Sequence, residues 1–203
     1  MIIVSNPAAM AAQLAAGHHF DCPWDGCAGS LGPWGSARTR SVRQRGGGTI
    51  SFTPCRAICR ACGRTQVLFP TVACPRRADS VATVWEAIAL AANGAGHRTA
   101  AAEVGVPQTT ARGWLRRARS NAGNLCANAT TALYWLDGGA SKVVPTGSVL
   151  GDLLEVVGRA VMAWDQLHGD RPDEVPRLER AFLLTGGELL MPNAIRQDFW
   201  SSG

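Results

Sequence analysis

Residues 98–117 read RTAAAEVGVPQTTARGWLRR, and this segment decides the fold. Gly105 supplies the small residue that a tight turn between two helices requires. The apolar residues on either side of it are spaced as in two short helices, so we expect them to pack together. They are Ala101, Val104, Val106, Ala111, Trp114 and Leu115. The pattern predicts a helix-turn-helix whose second helix begins near Gln108 and ends near Arg119.

The outward face of the second helix carries side chains that suit nucleic-acid recognition. A helix of this kind lies in the major groove, and its first residues reach the base edges. Glutamine pairs well with adenine, and arginine with guanine. We therefore predict base contacts from Gln108, Thr109, Arg112 and Arg116, and phosphate contacts from Arg98, Arg117 and Arg119. The alternative is an ordinary helical hairpin with a solvated basic face.

Upstream of this segment, four of the seven cysteines form two pairs. Cys59 and Cys62 are separated by two residues and followed by Gly63, whereas four residues separate Cys22 from Cys27. Zn²⁺ prefers a tetrahedron of thiolate or imidazole ligands, with about two to four residues within each pair. Gly63 is expected to permit a close approach of the chain. The spacing predicts a structural Zn²⁺ site made of all four cysteines.

Other ligand sets also fit the spacing. Cys55 could replace one ligand through its spacing to Cys59, and His18 or His19 could replace Cys22. A redox pair of the thioredoxin type is a weaker interpretation, because no strand-then-helix pattern surrounds the second cysteine pair. We expect the last two cysteines to be buried as small apolar side chains: Cys74 and Cys126.

Positive charge is concentrated in the middle of the chain. Residues 36–120 carry fourteen arginines and three acids, whereas residues 121–203 carry six basic and ten acidic residues. From Ser36 to Ala78 there are nine arginines and no acid. Such a block attracts phosphate backbones and steers association with nucleic acids. Its alternative is again a solvated basic face.

These patterns divide the chain into an N-terminal segment (1–17), a zinc-ribbon-like module (18–78), a helix-turn-helix module (79–120) and a helical C-terminal region of unknown role (121–203). In the cysteine-rich module only two short strands are predicted, at Thr49–Phe52 and Gln66–Phe69. A short helix is expected after Asn6 and Pro7.

The remaining helices follow from periodicity and caps. The first helix of the helix-turn-helix module should bury Val81, Val84, Trp85, Ile88, Ala89 and Ala92. Farther on, we predict helices over Asn121–Leu136, from a Ser148 cap to about His168, and over Glu174–Leu184. The predicted fold is mainly α with a small β zinc ribbon, and it places a three-helix helix-turn-helix module before a helical tail.

Several classes of protein are disfavoured by the sequence. It contains no phosphate loop, no Gly-x-Ser-x-Gly and no His-Glu-x-x-His, so we expect no enzyme. No apolar run reaches the roughly 18 residues of a membrane span. The N-terminus lacks the basic-then-apolar order of a secretory signal, and an odd cysteine count then favours metal over disulfides. A cytoplasmic, nucleoid-associated protein is expected.

Three phrases of the sequence carry a family resemblance. The first joins Cys22-Pro23 and Cys27 to the Leu-Gly-Pro-Trp-Gly of residues 31–35, and the second is the Cys-Arg-Ala-Cys-Gly-Arg-Thr-Gln-Val-Leu-Phe-Pro of residues 59–70. With Gly96-His97-Arg98-Thr99-Ala100 they resemble an actinobacterial, mobile-element-linked family of unknown function with an N-terminal zinc ribbon. Residues 106–117 are similar to the N-terminal helix-turn-helix of insertion-sequence transposases. The resemblance covers residues 18–119 and implies sequence-directed DNA binding beside a transposase or recombinase.

The expected function is therefore binding of double-stranded DNA, as a transcriptional regulator or a transposition accessory factor. A transposase or recombinase and a second copy of the chain are the further partners we expect. The alternative is a protein-interaction adaptor for a transposase, recombinase or polymerase, with incidental affinity for DNA. A third interpretation is an enzyme fragment or the end of a decayed transposase.

Overall fold

The structure, a computed structural model, describes residues 1–139, 142–169 and 175–190. The first part of the chain is rich in β-strands, and the second part is helical. The elements within these residues are β1 (Ile2–Val4), α1 (Pro7–Ala15), β2 (Leu31–Ser36), β3 (Arg40–Arg43), β4 (Thr49–Phe52), β5 (Cys55–Cys59), β6 (Thr65–Pro70), α2 (Val81–Ala92), α3 (His97–Val104), α4 (Gln108–Asp137), α5 (Val149–His168) and α6 (Arg177–Leu184). The prediction of a mainly helical chain with a small β part is confirmed.

Four strands form one sheet in the order β1-β6-β5-β2. β1 runs parallel to β6, and the other pairs are antiparallel. Ile2 lies opposite Leu68, and both belong to a small core that α1 closes with Leu14. Ile3 and Phe69 belong to the helical core instead. The sheet is therefore a layer between α1 and the helices.

Three strands of this sheet, β1, β2 and β5, were not predicted. β1 lies in the segment that was set apart as residues 1–17, and it forms through pairing with β6, more than sixty residues away. β2 contains Gly32, Pro33 and Gly35, which have low strand propensity. It is an edge strand, where proline is tolerated, and its register shifts between Pro33 and Ser36. β5 lies between β2 and β6 and pairs with both, so non-local pairing overrides local preference.

β3 and β4 form a separate hairpin. Its inner face places Val42 in the helical core, with Ile50 and Phe52 packed against it. The rings of Phe52 and Phe69 meet edge to face at a centroid distance of 5.5 Å, which joins the hairpin to the sheet. Its outer face carries hydroxyl pairs across the strands, such as Ser41 Oγ and Ser51 Oγ at 2.8 Å. The hairpin covers one flank of the helical core.

The three helices α2, α3 and α4 follow the predicted order. Ser80 Oγ caps α2 by accepting a hydrogen bond from the Thr83 amide at 3.3 Å. Gly105 ends α3 with φ 73°, in the left-handed region where glycine carries no steric penalty. Pro107 then precedes the first residue of α4. The expected α3–turn–α4 segment is therefore present as two helices and a glycine turn.

α4 does not end near Arg119, so that prediction is wrong. It continues without interruption to Asp137, and the expected boundary between residues 120 and 121 lies inside it. The helix continues through Asn121 because this residue is buried within it. Asn121 is 1% exposed, and its side-chain amide donates a hydrogen bond to the Glu188 carbonyl at 3.0 Å. This hydrogen bond is a buried contact between distant segments of the chain. The buried positions continue past Asn121 with helical spacing at Ala122, Leu125, Ala129, Ala132 and Leu133.

The C-terminal helices complete the core. Ser148 caps α5 as predicted, because its Oγ accepts a hydrogen bond from the Gly151 amide at 3.0 Å. α6 begins at Arg177 after Pro176; the expected start at Glu174 lies outside the described residues. Leu153 of α5 and Phe182 of α6 are fully buried in one core with α2 and α4. No described helix has the length and apolarity to span a membrane.

Candidate metal centre and nucleic-acid interface

The four predicted cysteine ligands converge on one point. Their sulfur atoms all lie within 4.8 Å of one another. Cys22 Sγ is 3.8 Å from Cys62 Sγ, and Cys27 Sγ is 3.7 Å from Cys59 Sγ. A tetrahedron with zinc–sulfur bonds of about 2.3 Å has sulfur–sulfur edges of about 3.8 Å. The donor set and its dimensions fit Zn²⁺.

Each cysteine pair lies on its own turn. In the first cysteine turn (residues 22–27), the Cys27 amide donates to the Trp24 carbonyl at 3.0 Å. In the second cysteine turn (residues 59–63), the Gly63 amide donates to the Cys59 carbonyl at 3.0 Å. Gly63 has φ 69°. Both turns present their sulfur atoms on the side where the other turn lies.

Gly29 allows the two turns to approach. A Cβ atom at this position would lie 2.7 Å from Cys59 Sγ and would also collide with the Cβ of Ala61. The close approach was expected at Gly63, where a Cβ would meet nothing within 4 Å. Gly63 is instead required by its positive φ. The sequence offered no signal for Gly29, because its neighbours come from a distant segment.

An aromatic contact joins the two turns on the outside. The Arg64 guanidinium lies over the Trp24 ring at 3.4 Å from its centroid, a cation–π arrangement. Trp24 belongs to the first cysteine turn, and Arg64 follows the second. Trp34, by contrast, is mostly exposed on β2. The contact is a second link between the two turns, beside the cysteine cluster.

The environment of the sulfur atoms differs across the cluster. The backbone N–H of Cys62 donates to the Cys59 sulfur and, with the N–H of Ala61, lowers the pKa of Cys59 to about 6. Burial raises the pKa of Cys22 to about 12. Zinc binds thiolates, so its binding would release the remaining thiol protons. Four protein ligands would also close the coordination sphere, as in structural sites.

The alternative ligands lie outside this cluster. Cys55 is on β5 opposite Leu68, and His19 Nε2 is 2.8 Å from an Asp21 carboxylate oxygen. In the described part of the chain, neither these residues nor His18 belongs to a group of ligand atoms close enough together to hold a metal ion. Cys59 and Cys62 each lie next to a sulfur of the first pair, which favours a shared ion over an isolated redox pair. Cys74 is buried as expected, whereas Cys126 is only half-buried.

A second candidate site is the first three turns of α4. Five of the predicted residues are exposed there, and at 100° per residue they occupy about 100° of the helix circumference. We call them the exposed stripe: Gln108, Thr109, Arg112, Arg116 and Arg119. Arg119 was predicted as a separate phosphate contact, yet a helical wheel already places it between Gln108 and Arg112. Arg98 is exposed on α3.

Arg117 points away from the exposed stripe. It is half-buried, and its Nη1 donates a hydrogen bond to the Gly113 carbonyl at 3.2 Å, one turn earlier in the same helix. The structure therefore separates Arg117 from the other predicted contacts. To reach a phosphate, its guanidinium would first have to leave this carbonyl.

The exposed stripe borders a cleft against the start of α3. The cleft has a volume of about 460 Å³ and lies between Gly96 and His97 on one side and Arg112, Arg116 and Arg119 on the other. Gly96 provides no side-chain cap, so the first amides of α3 have no side-chain partner at that position. Helix N-termini attract anions. Within the described residues, these three arginines form no ion pair.

The arginines of the acid-free block behave differently. Arg43 makes a two-pronged contact with Asp79, with nitrogen–oxygen distances of 2.9 and 3.1 Å. Arg45 pairs with Glu86 of α2. Arg40 lies over Phe69, 5.9 Å from the ring centroid. Two of the nine arginines in this block are therefore paired with acids that lie just beyond its end in the sequence.

Comparisons with known proteins add no relative to this description. The resemblance to a mobile-element-linked family stays a prediction. The chain matches no protein-family model, and the searches of curated proteins and of solved structures give no significant match.

Proposed function

We propose that the chain is a DNA-binding protein in which α3, the Gly105 turn and α4 act as a helix-turn-helix. The observation that carries this proposal is the exposed stripe at the start of α4. It combines amide, hydroxyl and guanidinium groups on a helix whose opposite side is anchored by buried Trp114. Such a helix presents its free face to the major groove.

The roles within the stripe follow from position. Gln108, Thr109 and Arg112 lie in the first two turns and would contact base edges. Arg116 and Arg119 line the cleft at the start of α3, so they would grip a phosphate together with the first amides of that helix. Arg98 would add a phosphate contact from α3, and Arg117 a weaker one.

The cysteine cluster supports a structural role for Zn²⁺ in this proposal. Four cysteines leave no coordination position for a substrate. The sheet that carries them joins the helical core through Ile3 and Phe69. We therefore propose a zinc ribbon that stabilises the N-terminal part of the molecule and adds surface beside the helices.

Selection of bound sequences from random duplex DNA, with the zinc-loaded protein, tests the proposal. A recovered consensus is expected, and affinity for it should fall with salt at a log–log slope of about −0.9 for each phosphate contacted. Arg112→Ala should reduce discrimination at one base pair by about 1–3 kcal/mol. Arg159→Ala on α5 is the control, because it removes the same charge at a residue outside the exposed stripe, where Arg159 pairs with Glu155.

Two outcomes would contradict the proposal. One is the absence of any enriched sequence together with a flat salt dependence. The other is equal behaviour of the Arg112 and Arg159 variants on every duplex tested.

A protein-interaction adaptor is the second candidate, and one surface favours it. Tyr134 and Trp135 near the end of α4 are 60% and 66% exposed, with ring centroids 6.3 Å apart. Exposed aromatic side chains are enriched at protein interfaces. The partner in this case would be a transposase, recombinase or polymerase, or a second copy of the chain. Light scattering of the wild type and Trp135→Ser distinguishes the homodimer from a monomer.

A further inference from the structure

One half of the four-stranded sheet leaves a face accessible. Ala57 of β5 belongs to the small core beside α1, so strand alternation places Arg56 and Ile58 on the opposite face. The helical core meets that opposite face at β1 and β6, through Ile3 and Phe69. Among the described residues this core includes none from β2 or β5. The half of the face that β2 and β5 form is therefore open, and we call it the open sheet face.

An exposed tryptophan lies on the open sheet face. Gly32 of β2 pairs with Ile58, and the ladder is regular as far as Pro33. Alternation then places the next residue, Trp34, on the same face as Gly32. Trp34 is 55% exposed, and a Cβ built on the following residue, Gly35, would meet nothing within 4 Å. The indole ring therefore has room for a flat molecule against it.

Arginines without acidic partners lie beside this ring. Arg56 is exposed on β5, and Arg60 folds back over β2, where its Nε lies 3.0 Å from the position of a Cβ built on Gly32. Among the described residues, neither arginine forms an ion pair. Arg40 of β3 lies over Phe69 on the same face. The guanidinium groups of Arg56 and Arg60 are therefore available to an anionic partner.

The charge around the open sheet face is of one sign. β2, β5 and β6 contain no aspartate or glutamate, and the sequence has no acid from Gly26 to Ala78. Positive charge of this kind complements a polyanion. The indole adds a preference for a flat, uncharged ring, and aromatic side chains bind unpaired bases by stacking. A partner that offers both phosphates and unstacked bases is a single-stranded nucleic acid.

A duplex fits this face less well. Its bases are stacked on one another, so their flat surfaces are not available to Trp34. Contacts to a duplex would therefore be limited to phosphates and would leave the exposed ring unused.

We propose that the open sheet face binds single-stranded DNA, with one base stacked on Trp34 and the adjacent phosphates held by Arg56 and Arg60. The choice of DNA over RNA rests on the proposed function. The surface itself shares no residue with the exposed stripe on α4. One chain would thus hold an unpaired strand on its sheet and a duplex on its helices.

Fluorescence anisotropy of a labelled oligothymidylate of about ten nucleotides, with the zinc-loaded full chain, tests this proposal. Oligothymidylate forms no duplex with itself, so it presents unpaired bases only. Saturable binding is expected. Trp34→Leu keeps an apolar side chain and removes the ring, and it should raise the Kd about tenfold. Trp34→Phe keeps a ring and should retain most of the affinity.

The phosphate contacts have their own test. Arg56→Ala should reduce the log–log salt slope for oligothymidylate by about 0.7, the value for one phosphate of a single strand. Arg159→Ala, which removes an arginine paired with Glu155 on α5, should leave that slope unchanged. Far-UV circular dichroism establishes that each variant is folded.

The proposal is overturned if wild type shows no saturable binding of oligothymidylate, or if folded Trp34→Leu binds it as tightly as wild type. Tighter, Trp34-dependent binding of an oligouridylate of the same length would overturn the choice of DNA. Trp34-dependent binding of oligothymidylate without sequence-selective duplex binding would support this inference and contradict the proposed function of the stripe.

Discussion

The sheet and the helices of this molecule are held together by different means. The sheet has a small core around Leu31, Ala57 and Leu68, and its far edge consists of two turns whose four cysteines converge. The helices bury a much larger set of side chains, in which Trp114, Phe182 and Leu153 are nearly inaccessible. The difference teaches that an irregular segment rich in glycine and proline has use for the cross-link that a metal ion on its four cysteines would supply, whereas a periodic segment relies on burial.

Removal of zinc should break this comparison most strongly. In zinc-finger peptides the ion contributes roughly 10–16 kcal/mol of folding free energy. A chelator is therefore expected to remove hydrogen-exchange protection from β2 and β5, while α4 and α5 stay protected. Cys59→Ser should have the same effect, and Cys126→Ser, outside the cluster, should not. The absence of zinc by elemental analysis, with unchanged exchange, would contradict it.

Truncation of a side chain in the helical core should instead destabilise the helices and leave the cysteine cluster intact. Phe182 is fully buried between α6 and its neighbours, so Phe182→Ala is expected to lower the free energy of unfolding by about 3–5 kcal/mol. Zinc stoichiometry should stay at one ion per chain in the folded variant. Urea denaturation followed by circular dichroism measures the loss. A conservative control is Phe182→Leu, for which a smaller loss is expected.

Gly29→Ala sharpens the comparison within the cysteine cluster. The added methyl group would lie too close to Cys59 Sγ and to Ala61, and such overpacking costs about 1–3 kcal/mol. We expect a lower zinc affinity in competition with a chromogenic chelator and little change in the helices. Gly123→Ala on α4 adds the same methyl group in open space and should leave zinc affinity unchanged. Equal affinities of both variants would show that the turns can separate freely.

The smallest expected effect compares two neighbouring arginines of α4. Arg119 belongs to the exposed stripe, whereas Arg117 donates to the Gly113 carbonyl. Arg119→Ala should weaken DNA binding about tenfold and reduce the salt slope by about 0.9, as expected for one lost phosphate contact. Arg117→Ala should change affinity less. Fluorescence anisotropy on one duplex measures both, and a larger effect of Arg117 would reverse the assignment.

Local signals in the sequence were sufficient for many elements. The order of α2, α3 and α4, the Ser148 cap and the Gly105 turn follow from periodicity and from residues with strong local preferences. The convergence of four cysteines could also be predicted, since two cysteine pairs with this spacing are typical of a shared metal ion. These features depend on neighbours within about one turn of the chain, or on a ligand type.

The rest depends on contacts between distant segments. β1 forms because it pairs with β6, and α4 continues through Asn121 because that side chain donates a hydrogen bond to the Glu188 carbonyl. Arg43 and Arg45 form ion pairs with Asp79 and Glu86. Gly29 is needed because Ala61 lies against it. A single sequence does not specify which distant residue will supply such a partner.

The continuity of α4 has a mechanical consequence. Thirty residues at about 1.5 Å each make a rod of about 45 Å, with Gln108 at one end and the exposed aromatic pair near the other. α5 packs along α4, so a movement of the C-terminal helices would tilt the whole of α4. A tilt of about 5° imposed at the aromatic end would displace Gln108 by about 4 Å. That distance exceeds a hydrogen-bond length, so a small rearrangement of the C-terminal region would change which atoms the other end can reach.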